Sequence, residues 1–277
     1  MKIHDLTRLL KDAGISPNKK LGQNFLIDET VIEKIIHHVD PGPVDSILEI
    51  GPGLGALTAP LAKSSGRLTA LEIDSGLARY LAEIYRESGT VRVIHGDFLK
   101  ADAGIGYTKI VSNLPYYCSS EILFRAAVNN MAQEIFVTVQ KEMAERIVAR
   151  PGSKSYGAIS VTLGFYCERK ILFQIGKNSF YPRPEVNSCF MHLKRRKVLA
   201  LGDEGTALFH DIVKSAFWGR RKTLQKSLSE SPHLGVSRED IIEALNGAGV
   251  DGRVRGEELS PDDFVRIVQS WHRLIKH

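Results

Sequence analysis

The sequence predicts an α/β fold, a mostly parallel sheet covered on both faces by helices, followed by a small all-helical domain. Three observations predict it. From residue 46, short apolar runs alternate with stretches of helical periodicity, which gives seven strand candidates. The first of these strands runs into a glycine-rich turn, Gly51-Pro52-Gly53-Leu54-Gly55. After residue 206, helical spacing continues and no strand candidate appears.

Taken in order, residues 1–27 read as irregular and basic. Asp28 suits a helix N-cap, with Glu29 in the first turn and Ile32, Ile35, Ile36 and Val39 at helical spacing. Pro41-Gly42-Pro43 stops that helix. Ser46–Ile50 is a short buried strand and Leu57–Lys63 a helix. Arg67–Glu72 is the second strand, and Asp74 caps a helix with Leu77, Leu81 and Ile84 on one face. Val91–Ile94 and Lys109–Ser112 are the third and fourth strands, with Ser119 or Ser120 expected to cap the next helix. Ile135–Val139 is the fifth strand and Lys141–Ala149 a charged amphipathic helix. Ile171–Ile175 and Cys189–Leu193 close the sheet. Helical spacing then returns in Leu208–Phe217, Arg238–Asn246 and Pro261–Leu274. The pattern changes through the Lys194–Lys197 run and Gly202-Asp203-Glu204-Gly205, so domains of residues 1–200 and 201–277 are expected.

Composition sets outer bounds. Apolar residues make up 43% of the 277 and charged residues 25%, as in ordinary globular chains, which argues against long disorder, collagen and coiled coil. No apolar run approaches the ~18 residues of a membrane span, and the first twenty residues carry no apolar stretch fit for a signal peptide. Cys118, Cys167 and Cys189 are scattered and form no C-x-x-C pair, so neither a disulfide framework nor a zinc site is expected, and a cytoplasmic setting is. His37-His38 has no partner at metal-ligand spacing, and no metal is predicted. The net charge is +5, from 37 basic against 32 acidic residues. Basic residues cluster at Lys19–Lys20, Lys194–Lys197 and Arg220–Lys222, which suits a polyanion partner through counterion release, or simply a solvated surface.

Glycines at a strand-to-helix turn let a ligand approach the backbone, although a tight turn alone also needs them. The spacing here is G-x-G-x-G rather than the G-x-G-x-x-G of dinucleotide binding. Pro52 removes one N–H that could cradle a phosphate. Both points favour a nucleoside without a pyrophosphate. Glu72 ends the second strand 21 residues after Gly51 (72 − 51), where a carboxylate can accept from ribose hydroxyls. Asp97, after the third strand, could accept from an adenine amino group. Together they point to an adenosine-containing ligand, and Asn113-Leu114-Pro115-Tyr116 at the end of the fourth strand separates the candidates. An exocyclic amine is a poor nucleophile because its lone pair is delocalised into the ring. Two acceptors on its hydrogens, the Asn113 side-chain oxygen and the Leu114 carbonyl, localise that pair toward a methyl donor. Pro115 fixes φ and helps aim the carbonyl, and Tyr116 offers a π-face to an extruded base.

With these motifs in view, the chain resembles the KsgA/RsmA family, the small-subunit ribosomal RNA adenine dimethyltransferases. The resemblance covers nearly the whole chain. Besides the segments above, it rests on Lys20-Leu21-Gly22-Gln23-Asn24-Phe25-Leu26, Gln140-Lys141-Glu142 with Ala144-Glu145-Arg146, Phe180-Tyr181-Pro182-Arg183-Pro184-Glu185-Val186-Asn187-Ser188, Arg220-Arg221-Lys222-Thr223-Leu224 and Arg255-Gly256-Glu257-Glu258-Leu259-Ser260. It implies a Rossmann-like class I methyltransferase domain with a seven-stranded sheet and a helical C-terminal domain that binds RNA or the ribosome. It implies S-adenosylmethionine as cofactor. The implied substrate is a pair of adjacent adenosines in the 3′-terminal hairpin loop of 16S rRNA, each dimethylated on N6 within immature small subunits.

By motif, Asn24, Leu26, Gly51, Glu72, Asp97 and Asn113 would contact the cofactor, with Gln23, Gly53, Gly55, Ile73 and Phe98 beside them. Asn113, Leu114, Pro115 and Tyr116 would hold the target amine, and Phe180 would form the second face of an aromatic sandwich. Lys19, Lys20, Arg146, Arg220, Arg221 and Lys222 are the candidate RNA contacts. A monomer is expected, with no membrane or DNA partner. Three alternatives stand beside this reading: an adenine methyltransferase with another target, such as an Erm-like enzyme of large-subunit rRNA or a DNA adenine enzyme, a factor that mainly checks ribosome assembly, and, most remote, a dinucleotide oxidoreductase.

Overall fold

In the computed structural model, residues 21–101, 104–219 and 221–275 are described. Seven strands form one sheet in the order β4-β3-β2-β5-β6-β9-β7. They are β2 (Ser46–Ile50), β3 (Arg67–Glu72), β4 (Val91–His95), β5 (Tyr107–Asn113), β6 (Ala132–Gln140), β7 (Cys167–Ile175) and β9 (Ser188–Arg195). Pairing from β4 through β6 is parallel, and β9 runs antiparallel to β6. The chain starts at β2, builds β3 and β4 on one side, then returns to build β5 and β6 on the other. That reversal opens a crevice at the carboxyl ends of β2 and β5, where doubly wound sheets bind ligands.

The expected strands all form, some longer than their apolar runs. A second, two-stranded sheet was not anticipated: β1 (Phe25–Leu26) pairs antiparallel with β8 (Phe180–Tyr181). Strands of two residues are too short to show an alternation.

Local signals explain the helices. Asp28 caps α1 (Glu29–Val39) by accepting from Val31 N–H, and Asp40 ends it in a left-handed conformation. Its Ile35 and Val39 are fully buried, a burial worth about 1.5–3 kcal/mol per side chain. Helix α2 spans Thr58–Ser64. Asp74 caps α3 (Ser75–Ile84) by accepting from Gly76 and Leu77 N–H. The cap expected from Ser119 or Ser120 is not made. Cys118 stands at the N-cap of α4 (Ser119–Val128) without a side-chain bond, and the Ser119 hydroxyl donates instead to the Pro115 carbonyl at 2.7 Å. Helix α5 spans Lys141–Val148.

The chain divides into two compact units, one reaching to Ala144 and resuming at Arg169–Arg195, the other made of Glu145–Glu168 and the chain from Arg196 on. A single cut at residue 200 misses the excursion at 145–168. The missed element is α6 (Ala158–Tyr166), AISVTLGFY, buried without interruption from Ser160 to Tyr166. A helix buried on every side has no amphipathic period to read.

The second unit is helical, with α7 (Asp203–Ala216), α8 (Leu224–Glu230), α9 (Arg238–Gly247) and α10 (Pro261–Ile275) after α6. Its core stacks Phe165 on Phe209 at 4.4 Å and sets Phe209 edge-on to Phe264. Gly256 is there for close approach: a Cβ at that position would stand 2.8 Å from the Ala216 carbonyl. Cys118, Cys167 and Cys189 are buried, and no described helix is long and apolar enough to cross a membrane.

Candidate active site

A single cavity in the first unit gathers segments far apart in sequence. Its lining includes Gln23, Asn24 and Leu26, the turn from Gly51 to Leu57, Glu72 and Ile73, and Asn113 through Tyr116. Nine of the expected cofactor residues and four of the five expected catalytic residues therefore share one wall-to-wall site. Gly51 and Gly53 have φ of 67° and 60°, a region side chains rarely adopt. A Cβ on Gly53 would also press to 3.1 Å from the Phe25 ring, whereas one on Gly51 would meet nothing of the chain. The turn thus leaves open space beside its backbone.

Glu72 is 3% exposed, yet its oxygens are well supplied: Oε2 accepts from Gly53 N–H and Oε1 from Asp74 N–H, each at 2.9 Å. Burial raises its pKa above the usual carboxylate range against these two bonds. Glu49 also lines the cavity. The resemblance places it at the head of the cofactor-loop motif Glu49-Ile50-Gly51-Pro52-Gly53-Leu54-Gly55 without assigning it a contact, although an acid inside an otherwise apolar buried strand was a signal. Its Oε2 makes no hydrogen bond of normal geometry among the described residues. Burial pushes its pKa up to about 8, although the nearby Thr58 side chain favours its charged form, and the neighbouring charge of Glu72 adds to the rise. Glu49 therefore holds its proton near neutrality, and the two buried acids offer hydrogen-bonding groups to a ligand with hydroxyl donors rather than a cradle for an anion. A pyrophosphate does not fit this lining. A sulfonium nucleoside such as S-adenosylmethionine does.

Asn113 closes the site from the β5 side. Its side-chain nitrogen donates to the Asn24 carbonyl at 2.8 Å. A carbonyl only accepts, so the amide must turn its NH2 there, and its oxygen is left to accept from elsewhere. The Leu114 N–H continues the sheet by donating to Thr138, while the Pro115 carbonyl is taken by Ser119. The Leu114 carbonyl receives no donor among the described residues. Among the described residues, Asn113 Oδ1 and Leu114 O are therefore two acceptors without a protein partner. The Tyr116 hydroxyl is engaged, 2.7 Å from the Ser188 hydroxyl, and burial raises its pKa above the usual phenol range. It is not poised to take a proton.

The remaining expected residues lie elsewhere. Asp97 and Phe98 follow β4, next to the Glu72 strand through the bond from Gly96 N–H to the Glu72 carbonyl, but they are not in the cavity lining. Asp97 accepts from Leu99 N–H at 2.9 Å. Their loop is clamped by Arg125, which sequence reading missed: its two guanidinium ends donate to Leu99 and Ala101 carbonyls at 2.8 Å each. A single arginine in an amphipathic helix carries no sequence mark of that duty.

Phe180 is a correction. It is not among the residues that line the cavity; it is 2% exposed and packs with Leu26, which does line it, and with Ile35, Val39 and Phe190. The cause is local stitching. β8 pairs with β1, Ile27 N–H donates to the Ser179 carbonyl, and the Ser179 hydroxyl donates to Asp28. Phe180 is thereby fixed on the core side.

Of the candidate RNA contacts, Lys19, Lys20 and Arg220 lie outside the described residues. Arg146 and Arg221 are exposed. Lys222 is ion-paired with Glu230 at 2.5 Å. In the Lys194–Lys197 run, Arg195 donates to the Ala127 carbonyl and Arg196 to that of Gly164, so two of its four cations serve the fold.

The comparisons agree with this geometry. The family described as ribosomal RNA adenine dimethylase matches residues 14–273. A curated relative, ribosomal RNA small subunit methyltransferase A of Pelotomaculum thermopropionicum, is 41% identical over 278 residues, covering 95% of this chain and 94% of that protein. Among solved structures, a dimethyladenosine transferase from Plasmodium falciparum shares the fold, with a TM-score of 0.76 at 20% identity over 90% of this chain and 98% of that one. The 23S rRNA methyltransferase ErmE gives a TM-score of 0.68 at 27% identity, over 90% of this chain and 100% of that one. Matched along nearly its whole length, the chain belongs to the ribosomal RNA adenine dimethylase family, enzymes that draw their methyl group from S-adenosylmethionine.

Proposed function

We propose that the protein dimethylates the 6-amino groups of two adjacent adenosines in the 3′-terminal hairpin loop of 16S rRNA, within immature small subunits, and so takes part in small-subunit biogenesis. It would act as a monomer in the cytoplasm. The observation that carries the chemistry is the oriented Asn113 amide. Held by the Asn24 carbonyl, it leaves Oδ1 unengaged among the described residues, one position before the equally unengaged Leu114 carbonyl, and the pair would accept both hydrogens of an aromatic amine. The 41% identity to a small-subunit enzyme supports the choice of target.

Bound S-adenosylmethionine supplies a methyl group on a positively charged sulfur. The chain's own residues do the rest. Glu72, oriented by Gly53 and Asp74 N–H, is placed to accept from ribose hydroxyls. The glycine turn admits the nucleoside backbone-close, with open space beside Gly51. Asn113 Oδ1 and Leu114 O draw the amine hydrogens and localise the nitrogen lone pair. No strong base is needed, because the amine becomes acidic once alkylated. The rate comes largely from alignment of groups held beforehand. Tyr116 offers the face on which the extruded base stacks, a step that costs less in a loop than in a duplex.

The test is transfer of labelled methyl groups from S-adenosylmethionine to unmethylated small subunits, unmethylated large-subunit RNA and double-stranded DNA, with Asn113→Ala as control. Incorporation into small subunits alone, approaching about four methyls per particle as dimethyladenosine, is expected. Incorporation into large-subunit RNA instead would move the target to the Erm-like alternative. Tight binding of small subunits with no incorporation would leave the assembly role in front.

A further inference from the structure

Ser188 opens β9, opposite Gln140 at the end of β6. Its side chain is completely buried, between the exposed Asn187 and the apolar Cys189 and Phe190. A hydroxyl buried that deeply must be bonded, and its bond is to the Tyr116 hydroxyl at 2.7 Å across 72 residues of chain. The strand does not depend on it. Seven residue pairs join β6 and β9, from Glu134 with Lys194 to Gln140 with Ser188, and Lys141 N–H adds a bond to the Asn187 carbonyl.

Tyr116 does depend on it. The residue follows the end of β5, where Pro115 restrains its own φ but leaves the phenol free to turn about χ1 and χ2. No aromatic ring is paired with Tyr116 among the described residues. Among the described residues the hydroxyl tether is the one side-chain hydrogen bond of Tyr116, and Tyr116 lines the cavity. We propose that Ser188 is a positioning residue for the methyl transfer: through its hydroxyl it sets the angle of the Tyr116 ring on which the target base stacks. This rests on the proposed stacking role of Tyr116 and gives the Ser188 hydroxyl a task outside the sheet.

The test is a double-mutant cycle with Ser188→Ala, Tyr116→Phe and the double variant, assayed for methyl transfer to unmethylated small subunits and for S-adenosylmethionine binding. Each single variant is expected to lose about tenfold in kcat, the equivalent of one hydrogen bond of about 1.4 kcal/mol. The double variant is expected to lose no more than either single one, because both remove the same bond. Ser188→Thr, which keeps the hydroxyl, restores at least half of the wild-type kcat. Cofactor affinity stays within twofold of wild type, while Tyr116→Phe, which leaves the buried Ser188 hydroxyl unbonded, lowers Tm by about 2–6 °C. The proposal is overturned if the two losses multiply, if Ser188→Ala keeps full kcat, or if threonine fails to rescue while Tm is unchanged. Failure of the underlying functional reading looks different, since the wild-type protein itself would then transfer no methyl groups.

Discussion

The Asn113 side-chain nitrogen donates to the backbone oxygen of Asn24 at 2.8 Å, joining residues 89 positions apart. One hydrogen bond thus ties two segments of the cavity lining together, and decides which end of the Asn113 amide is free. Asn113→Ala removes the acceptor and should lower methyl transfer by about 10²–10³-fold, the range for losing one preorganised polar group at a reacting centre. Asn113→Asp should do further harm. It sets a carboxylate against the Asn24 carbonyl, two acceptors with no proton between them, so cofactor affinity should fall as well. Label transfer and calorimetric titration with S-adenosylmethionine check both outcomes.

Glu72 receives Gly53 and Asp74 N–H on its two oxygens. In Glu72→Gln, one of those donors faces an amide NH2, and the charged acceptor for ribose hydroxyls is gone. Cofactor affinity should weaken by about 10–100-fold, given ~1.5–3 kcal/mol for a hydrogen bond to a charged group. Unchanged affinity in a titration would remove Glu72 from the cofactor site.

Glu49 shifts from 4.5 to about 8 on folding, chiefly through burial. Across that interval the folded protein keeps a proton that the unfolded chain releases. Stability therefore declines as pH rises from about 4.5 through about 8 and levels off above. Glu72, raised for the same reason, acts in the same sense. His38, His192 and His210 are held below the usual imidazole value of 6.5 and act in the opposite sense below it. The difference between wild type and Glu49→Gln isolates the glutamate. The variant should gain on wild type steadily between pH 5 and 8.5, reaching on the order of 2–4 °C in Tm or more. Parallel Tm curves would contradict the shift.

Arg125 donates to the Leu99 and Ala101 carbonyls, with its guanidinium 5.7 Å from the Phe98 ring. Arg125→Ala should cost about 1–3 kcal/mol for two hydrogen bonds. Because the loop carries Asp97, cofactor affinity should fall several-fold while KM for the RNA substrate holds. Arg125→Lys should recover little, since a single ammonium cannot span both carbonyls. Tm and cofactor titrations, read beside steady-state kinetics, distinguish loosening of this loop from a general loss of fold.

The sequence alone determined a good deal. The β2 and β3 strands fall where their apolar runs do, and Asp28 and Asp74 cap the helices they precede. Strand period, helix period and capping are local physics, written within a few residues. The same holds for the glycine turn with Glu72 and for Asn113 through Tyr116, whose residue types already state their chemistry.

Tertiary structure decided what depends on distant partners. A two-residue strand such as β1 is defined only by β8 across from it, and that pairing packs Phe180 into the core cluster beside Leu26. The uniformly apolar α6 shows no period, so only packing reveals that residues 145–168 belong with the C-terminal helices. Glu49 became a proton-holding acid, Arg125 a clamp and Ser188 a tether because the fold buried them or supplied carbonyls and a phenol from elsewhere in the chain. Burial and long-range hydrogen bonds are properties of the assembled chain, and no stretch of sequence contains them.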